Sequence, residues 1–201
     1  MKKSIFALAL VAMIGAALCS SCKCVGPKPE ASLEIVPMVE LSLENTVAAD
    51  REYMFVHYGS SYRWYESCII LDEYMDAEEC TGSIAGISNV FQSIEGEAPS
   101  FDTHVILFSY TREAHNMEVK HAFWVEDCPL NEEVINISYK EAYEKMMEAN
   151  YPKPHSKHCV LRKEVGPYDC NAQYIFGNIE AQIYVDAVTG AVSDQSPAFN
   201  K

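Results

Sequence analysis

Apolar residues fall along the chain in three patterns. From Ile5 to Leu18 they run unbroken for 14 residues. From Glu44 to Tyr58, and again from Tyr139 to Ala149, they recur at helical spacing. Elsewhere they alternate with polar residues, or fill short blocks bounded by Gly, Asn and Pro. The second helix has the clearest signals. Ser138 and Glu141 form a capping box, Ile137 can staple onto Ala142, and Tyr139, Ala142, Tyr143, Met146 and Met147 share one stripe. Asn150 ends it, and Pro152 and Pro154 forbid continuation. The first helix, closed by Gly59, would carry Val47, Arg51, Met54, Phe55 and Tyr58 on one stripe, although Tyr53-Met54-Phe55-Val56 would also suit a strand.

Strands are expected over 62–71, 83–94, 103–110 and 117–125 after the first helix. After the second they are expected over 159–165, 172–176, 179–185 and 191–192. Gly177-Asn178 suits a two-residue II′ turn. Ile179, Ala181, Ile183 and Val185 would then face inward, with Glu180, Gln182, Tyr184 and Asp186 facing water. The order is helix, four strands, helix, four strands. It predicts an α+β fold of two tandem units, each a helix packed on an antiparallel sheet, over 44–128 and 136–195.

The last hairpin carries a resemblance. Ser138-Tyr139-Lys140-Glu141-Ala142 is followed by Tyr174-Ile175-Phe176-Gly177, and then by Ile183-Tyr184-Val185-Asp186-Ala187-Val188-Thr189-Gly190. This resembles a PepSY module, with Asp186, Thr189 and Gly190 as its turn signature. Asp186 would bond turn amides and Gly190 would supply a positive φ. The resemblance implies a non-catalytic module of the kind found in protease propeptides and envelope regulators, associated with protease inhibition. The tandem plan resembles the β-lactamase-inhibitor-protein architecture. The whole chain resembles lipoproteins of Bacteroides-type bacteria, which implies no particular activity.

The N-terminal run has the length of a signal h-region and is too short to span a bilayer. Lys2 and Lys3 precede it, and it ends in Leu18-Cys19-Ser20-Ser21-Cys22. Small residues before Cys22 resemble a lipobox, with Cys19 where an aliphatic residue is usual. Residues 1–22 therefore read as a lipoprotein signal and Cys22 as the lipidated residue, with plain secretion after cleavage near Ala17 as the alternative. Buried acyl chains would then anchor the chain to the envelope, at the outer membrane. Pro27, Pro29 and Pro37 make 23–43 a tether.

Charge narrows the partners. The formal net charge is −14. Residues 23–135 carry 21 acids against 6 bases, whereas 136–201 carry 8 against 7. Such a surface repels phosphate backbones and argues against nucleic acid. With 49% hydrophobic and 22% charged residues, the composition excludes a disordered or collagenous chain.

Candidate chemistry is sparse. Beyond the N-terminal trio lie Cys68, Cys80, Cys128, Cys159 and Cys170, an odd number. Cys159–Cys170 would sit too far apart along a hairpin, which leaves Cys68–Cys80 as the preferred disulfide. His155, His158 and Cys159 have ligand chemistry but no matching second cluster, and a polar loop is the plainer reading. Asp72, Glu73, Asp76, Glu78 and Glu79 read as a solvated acidic loop, and His121 as a core histidine. No P-loop, nucleophile-elbow, zinc-protease or dinucleotide fingerprint is present. No cofactor is expected. The aromatic residues say more. Strand 103–110 is apolar on both faces, so the face away from the helices should expose a contact surface: Tyr62, Trp64, Ile106, Phe108, Tyr110 and Trp124. The leading expectation is a non-catalytic envelope protein that binds a protein or peptide. A cysteine–histidine or metal enzyme and a structural surface protein are the rivals.

Overall fold

The computed structural model describes residues 41–93, 104–121, 124, 128–164 and 171–197. The expected signal, most of the expected tether, Cys22 and Cys170 lie outside these residues. The described part is α+β. Helix α1 spans Leu43–Tyr58, and strands β1 (Tyr62–Leu71), β2 (Ile84–Ser93), β3 (His104–Thr111) and β4 (His115–His121) follow. Helix α2 spans Tyr139–Glu148, followed by β5 (His158–Arg162), β6 (Gln173–Gly177), β7 (Gln182–Asp186) and β8 (Val192–Ser193). All eight strands form one antiparallel sheet in the order β4-β3-β2-β1-β5-β6-β7-β8. The two four-strand runs meet through β1 and β5, from Glu66↔Arg162 to Ile70↔His158. Among the described residues, no helix is long and apolar enough to cross a membrane.

Strand alternation assigns the faces. Ile69, Ile87, Phe91, Ile106, Phe108, Cys159, Leu161, Tyr174, Phe176, Ile183 and Val185 join a single core with Leu43, Val47 and Met54 of α1 and Tyr139, Ala142, Tyr143 and Met146 of α2. Both helices thus cover one side of the sheet. A bulge between Trp64 and Glu66 shifts the β1–β2 register, so the adjacent Trp64 and Tyr65 are both buried.

Helix α1 starts at Ser42, whose side chain accepts from the Asn45 N–H, and stops at Gly59, with φ 74°. Its buried stripe corrects the expected one. Leu43, Thr46, Val47, Asp50 and Met54 face the sheet, whereas Arg51 and Phe55 are exposed. Helix α2 carries the expected capping box: Ser138 N–H donates to Glu141 Oε2 (2.9 Å) and Glu141 N–H to Ser138 Oγ (3.3 Å). At its other end, Lys153 Nζ donates to the carbonyls of Met146 and Ala149 (2.6 and 2.8 Å), satisfying orphan acceptors.

The β6–β7 connection also differs from the two-residue turn. It is a four-residue loop, in which Asn178 Oδ1 accepts from the N–H groups of Glu180 and Ala181. The longer loop leaves Ile179 97% exposed at its tip instead of inward, and Tyr184 is buried instead of wet. The acidic loop is pinned at both ends. Met75 is fully buried and its N–H donates to Ser156 O (3.0 Å), while Asp72 pairs with Arg112 and Asp76 with His155.

The β7–β8 turn is built as its residues suggest. Asp186 Oδ1 accepts from the N–H groups of Val188 (2.9 Å) and Thr189 (2.8 Å), and Asn171 Nδ2 donates to Oδ2 (3.0 Å). Burial alone would raise the Asp186 pKa, but these donors outweigh it and hold the carboxyl below its ordinary value. Thr189 Oγ1 accepts from the Ala191 N–H (3.3 Å), and Gly190 has φ 72°. A Cβ at Gly190 would meet only the flexible Lys145 side chain, so backbone strain dominates any substitution. Gly190→Val should therefore lower stability by about 1–3 kcal/mol. Gly190→Asn, which tolerates the left-handed region, should recover a substantial part of that loss in urea unfolding. Equal stability of all three forms would contradict this role for Gly190.

Candidate functional site

The expected contact residues do not gather on an open sheet face. Trp64, Ile106, Phe108 and Tyr110 are buried in the core beneath the helices. This is a correction. Strand β3 is apolar on both faces, so its pattern could not say which face the helices take. They took the Ile106–Phe108–Tyr110 side. On the opposite side Tyr65, Val90, Val105, Ile175 and Tyr184 are buried too, whereas Cys68, Leu107 and Val160 are half-buried and Ile70 is 40% exposed. Tyr62 and Trp124 are half-buried. The Trp124 N–H donates to Gln92 Oε1 (2.7 Å), and its indole Nε1 has no hydrogen-bond partner among the described residues.

The residue that pattern reading missed is Asp50. It is 1% exposed, within the helix–sheet interface. Tyr110 Oη donates to Asp50 Oδ1, and Asn89 Nδ2 donates to Asp50 Oδ2 (2.7 Å). The network continues through Asn89. Its Nδ2 also donates to Thr46 Oγ1 (3.1 Å), and its Oδ1 accepts from Ser67 Oγ, which accepts from Trp64 Nε1 (3.0 Å). His115 stacks on Tyr110 with ring centroids 4.1 Å apart, and burial pushes its pKa down. Burial raises the Asp50 carboxyl to about 7, against the lowering effect of the Tyr110 and Asn89 bonds. Helical spacing from Leu43, Val47 and Met54 would have placed Asp50 on the inner stripe, had an acid been admitted there.

The thiols do not pair as expected. Cys68, Cys80, Cys128 and Cys159 are all free. Cys68 alternates with the core residue Ile69 and so points away from the helices. Cys80 lies on the helix side, where Tyr143 Oη donates to its carbonyl (2.9 Å) and Sγ (3.2 Å). Burial, aided by the Glu66 charge, raises the Cys68 pKa, and burial raises that of Cys159 further. Both shifts disfavour the thiolate that nucleophilic or metal chemistry uses. His155 stacks on Tyr74 at 4.3 Å and bonds Asp76, well exposed. His158 is exposed, and the His121 side chain lies outside the described residues. Among the described residues, no three His, Cys, Asp or Glu side chains converge to hold a metal ion.

Among the concavities on the helix side, two border Trp64 of β1. One, of about 890 Å³, lies between the end of α1, the start of β1 and residues 129–133. Met54, Tyr62, Trp64, Phe91 and Leu130 contribute to its lining, and Phe55 stands beside them 69% exposed. Leu130 N–H donates to Trp64 O (2.8 Å), which ties the segment entering α2 to β1. The second, of about 340 Å³, lies between α1 and the start of α2. No protein-family model, curated protein or solved structure matches the chain.

Asp50 generates a pH prediction. Its folded pKa lies above its unfolded one, so the native state holds its proton more tightly. Its contribution to stability is fully present below about pH 4 and is lost as the pH rises to about 7. At its limit the loss is on the order of 4 kcal/mol. Asp50→Asn, which keeps the shape, should gain stability relative to wild type across that interval and show a constant difference above pH 8. A difference that does not vary with pH would remove Asp50 as the source.

Proposed function

We propose that the chain is an exported envelope protein, lipid-anchored through Cys22 at the outer membrane, that binds a protein or peptide partner without catalysing a reaction. A regulator or inhibitor of a secreted enzyme is the form of this role that its turn signature favours. The observation that carries the reading is the larger groove. Its floor is made by the buried Met54, Trp64, Phe91 and Leu130, and Phe55 on its wall is 69% exposed. Aromatic and aliphatic anchors beside a concavity are the usual centre of a protein interface. A large aromatic side chain held in water on the wall of a groove is better explained by a partner than by stability.

The tandem, PepSY-like reading belongs to the same proposal. Helix α1 with β1–β4, and α2 with β5–β8, each supply one helix followed by a four-strand meander. The strand order is symmetric about β1–β5, which supports a repeated unit. The Asp186 and Gly190 turn supports the resemblance of the second unit.

Two tests address the anchor and the partner. A fatty-acid probe should label the wild-type chain in cells and leave Cys22→Ala unlabelled; equal labelling would overturn lipidation at this residue. A photo-crosslinking amino acid at position 55 should capture a discrete protein in the native envelope, and the same group at exposed Glu148 should not. Phe55→Asp should lose that partner while changing stability by less than about 0.5 kcal/mol, since its side chain is exposed. Identical crosslinking from both positions would overturn the groove as the contact site.

A further inference from the structure

The smaller cavity, of about 340 Å³, lies over the junction of β1 and β5. Its lining includes Trp64 and Leu161 from those two strands, Tyr174 from β6 and Val47 from α1. Its remaining boundary comes from α1, residues 132–138 and the first turn of α2. Three carboxylates, Glu44, Glu132 and Glu141, belong to the lining, and no basic side chain does. Each has one oxygen engaged. Glu44 Oε1 accepts from the Tyr139 N–H (3.2 Å), Glu141 Oε2 from Ser138, and Glu132 Oε2 from Arg51. The second oxygen of each carries no hydrogen bond among the described residues.

An apolar trough with free carboxylate oxygens suits a cation on an apolar stem. A bare metal ion is poorly served, because no three acidic, His or Cys groups here converge to hold one. The volume is at the low end of the roughly 300–1,000 Å³ of ligand pockets, which favours one side chain over a large cofactor. A guanidinium has the planar fork that can bridge separate carboxylates, and it stacks favourably on aromatic rings. The net charge of −14 favours a basic partner for the chain as a whole.

We propose that this cavity receives an arginine side chain from a basic segment of the partner, its stem against Ala48, Ile135 and Ile137 and its guanidinium at Glu44, Glu132 and Glu141. This rests on the reading of the chain as a peptide-binding protein and names the chemistry of the peptide.

The test is fluorescence anisotropy with the mature chain and a labelled hexapeptide carrying one central arginine among alanines and lysines. Its twin has glutamine at that position. The arginine peptide should bind at least about tenfold more tightly than its twin, as befits a lost charge-assisted pair. Ala48→Trp, at an exposed position on the cavity wall, should close the site without changing charge and lower affinity by a similar factor. Glu44→Gln with Glu132→Gln and Glu141→Gln should do the same, and glutamine preserves the capping acceptors. Equal binding of the two peptides, or undiminished binding to Ala48→Trp, would mean diffuse attraction to an acidic surface and would overturn the site. Competition by free arginine amide at the peptide's own concentration would assign the cavity to small amines and overturn the peptide commitment. If the arginine peptide does not bind but crosslinking at position 55 succeeds, this cavity is excluded and the partner reading stands. Failure of both removes that reading as well.

Discussion

The pairing of β1 with β5 is the contact on which the rest of the molecule depends. Five residue pairs, from Glu66↔Arg162 to Ile70↔His158, join two four-strand meanders into one sheet. A separate four-strand sheet with one helix would bury little apolar surface, and small cores are marginal. Joined, the two halves place α1 and α2 side by side over a continuous floor. The contacts between the halves follow from this. Glu44 of α1 accepts from the first N–H of α2, Tyr139 Oη donates to Gly82 O, and Tyr143 Oη donates to Cys80 O. The cavity over Trp64 and Leu161 exists because the two helices meet above that junction.

The core under α1 includes a polar network. Asp50, Asn89, Ser67, Thr46 and Tyr110 connect the helix to three strands, and each bond is donor to acceptor when Asp50 is ionised. Burying a carboxylate costs stability even when it is well bonded. A purely apolar helix face could slide along the sheet, whereas a bonded network has one register. That cost and that specificity meet in one side chain, which is why Asp50 couples the fold to pH.

Much of the backbone was legible from local pattern. The Ser138–Glu141 capping box, the Met and Tyr stripe of α2, and the Asp186 turn depend on residues close in sequence, and they appear as read. The boundaries of α1, β1 and β3 also lie within a residue or two of the pattern. The errors were about faces and loops. Apolar spacing puts Phe55 on the α1 stripe with Arg51 beside it, whereas the hydrogen-bonded network across the sheet is what admits Thr46 and Asp50. Asn178 caps a four-residue loop where glycine first suggested two, and so Ile179 turned from core to tip. The Cys68–Cys80 pairing failed because alternation puts the two residues on opposite sides of the sheet.

By itself, the sequence determined the order of helices and strands, the acidic character of the first segment and the local caps and turns. These are set by side-chain periodicity, by the φ preferences of glycine and by hydrogen bonds spanning three or four residues. Only the tertiary structure decided which face of β3 lies inward, that both helices share one side of a single sheet, and that Glu44, Glu132 and Glu141 border one cavity. Those outcomes come from strand pairing between residues nearly a hundred positions apart, as in Ile69↔Cys159. A strand apolar on both faces carries no local signal for choosing between them, so the choice falls to whichever packing buries more of the whole chain.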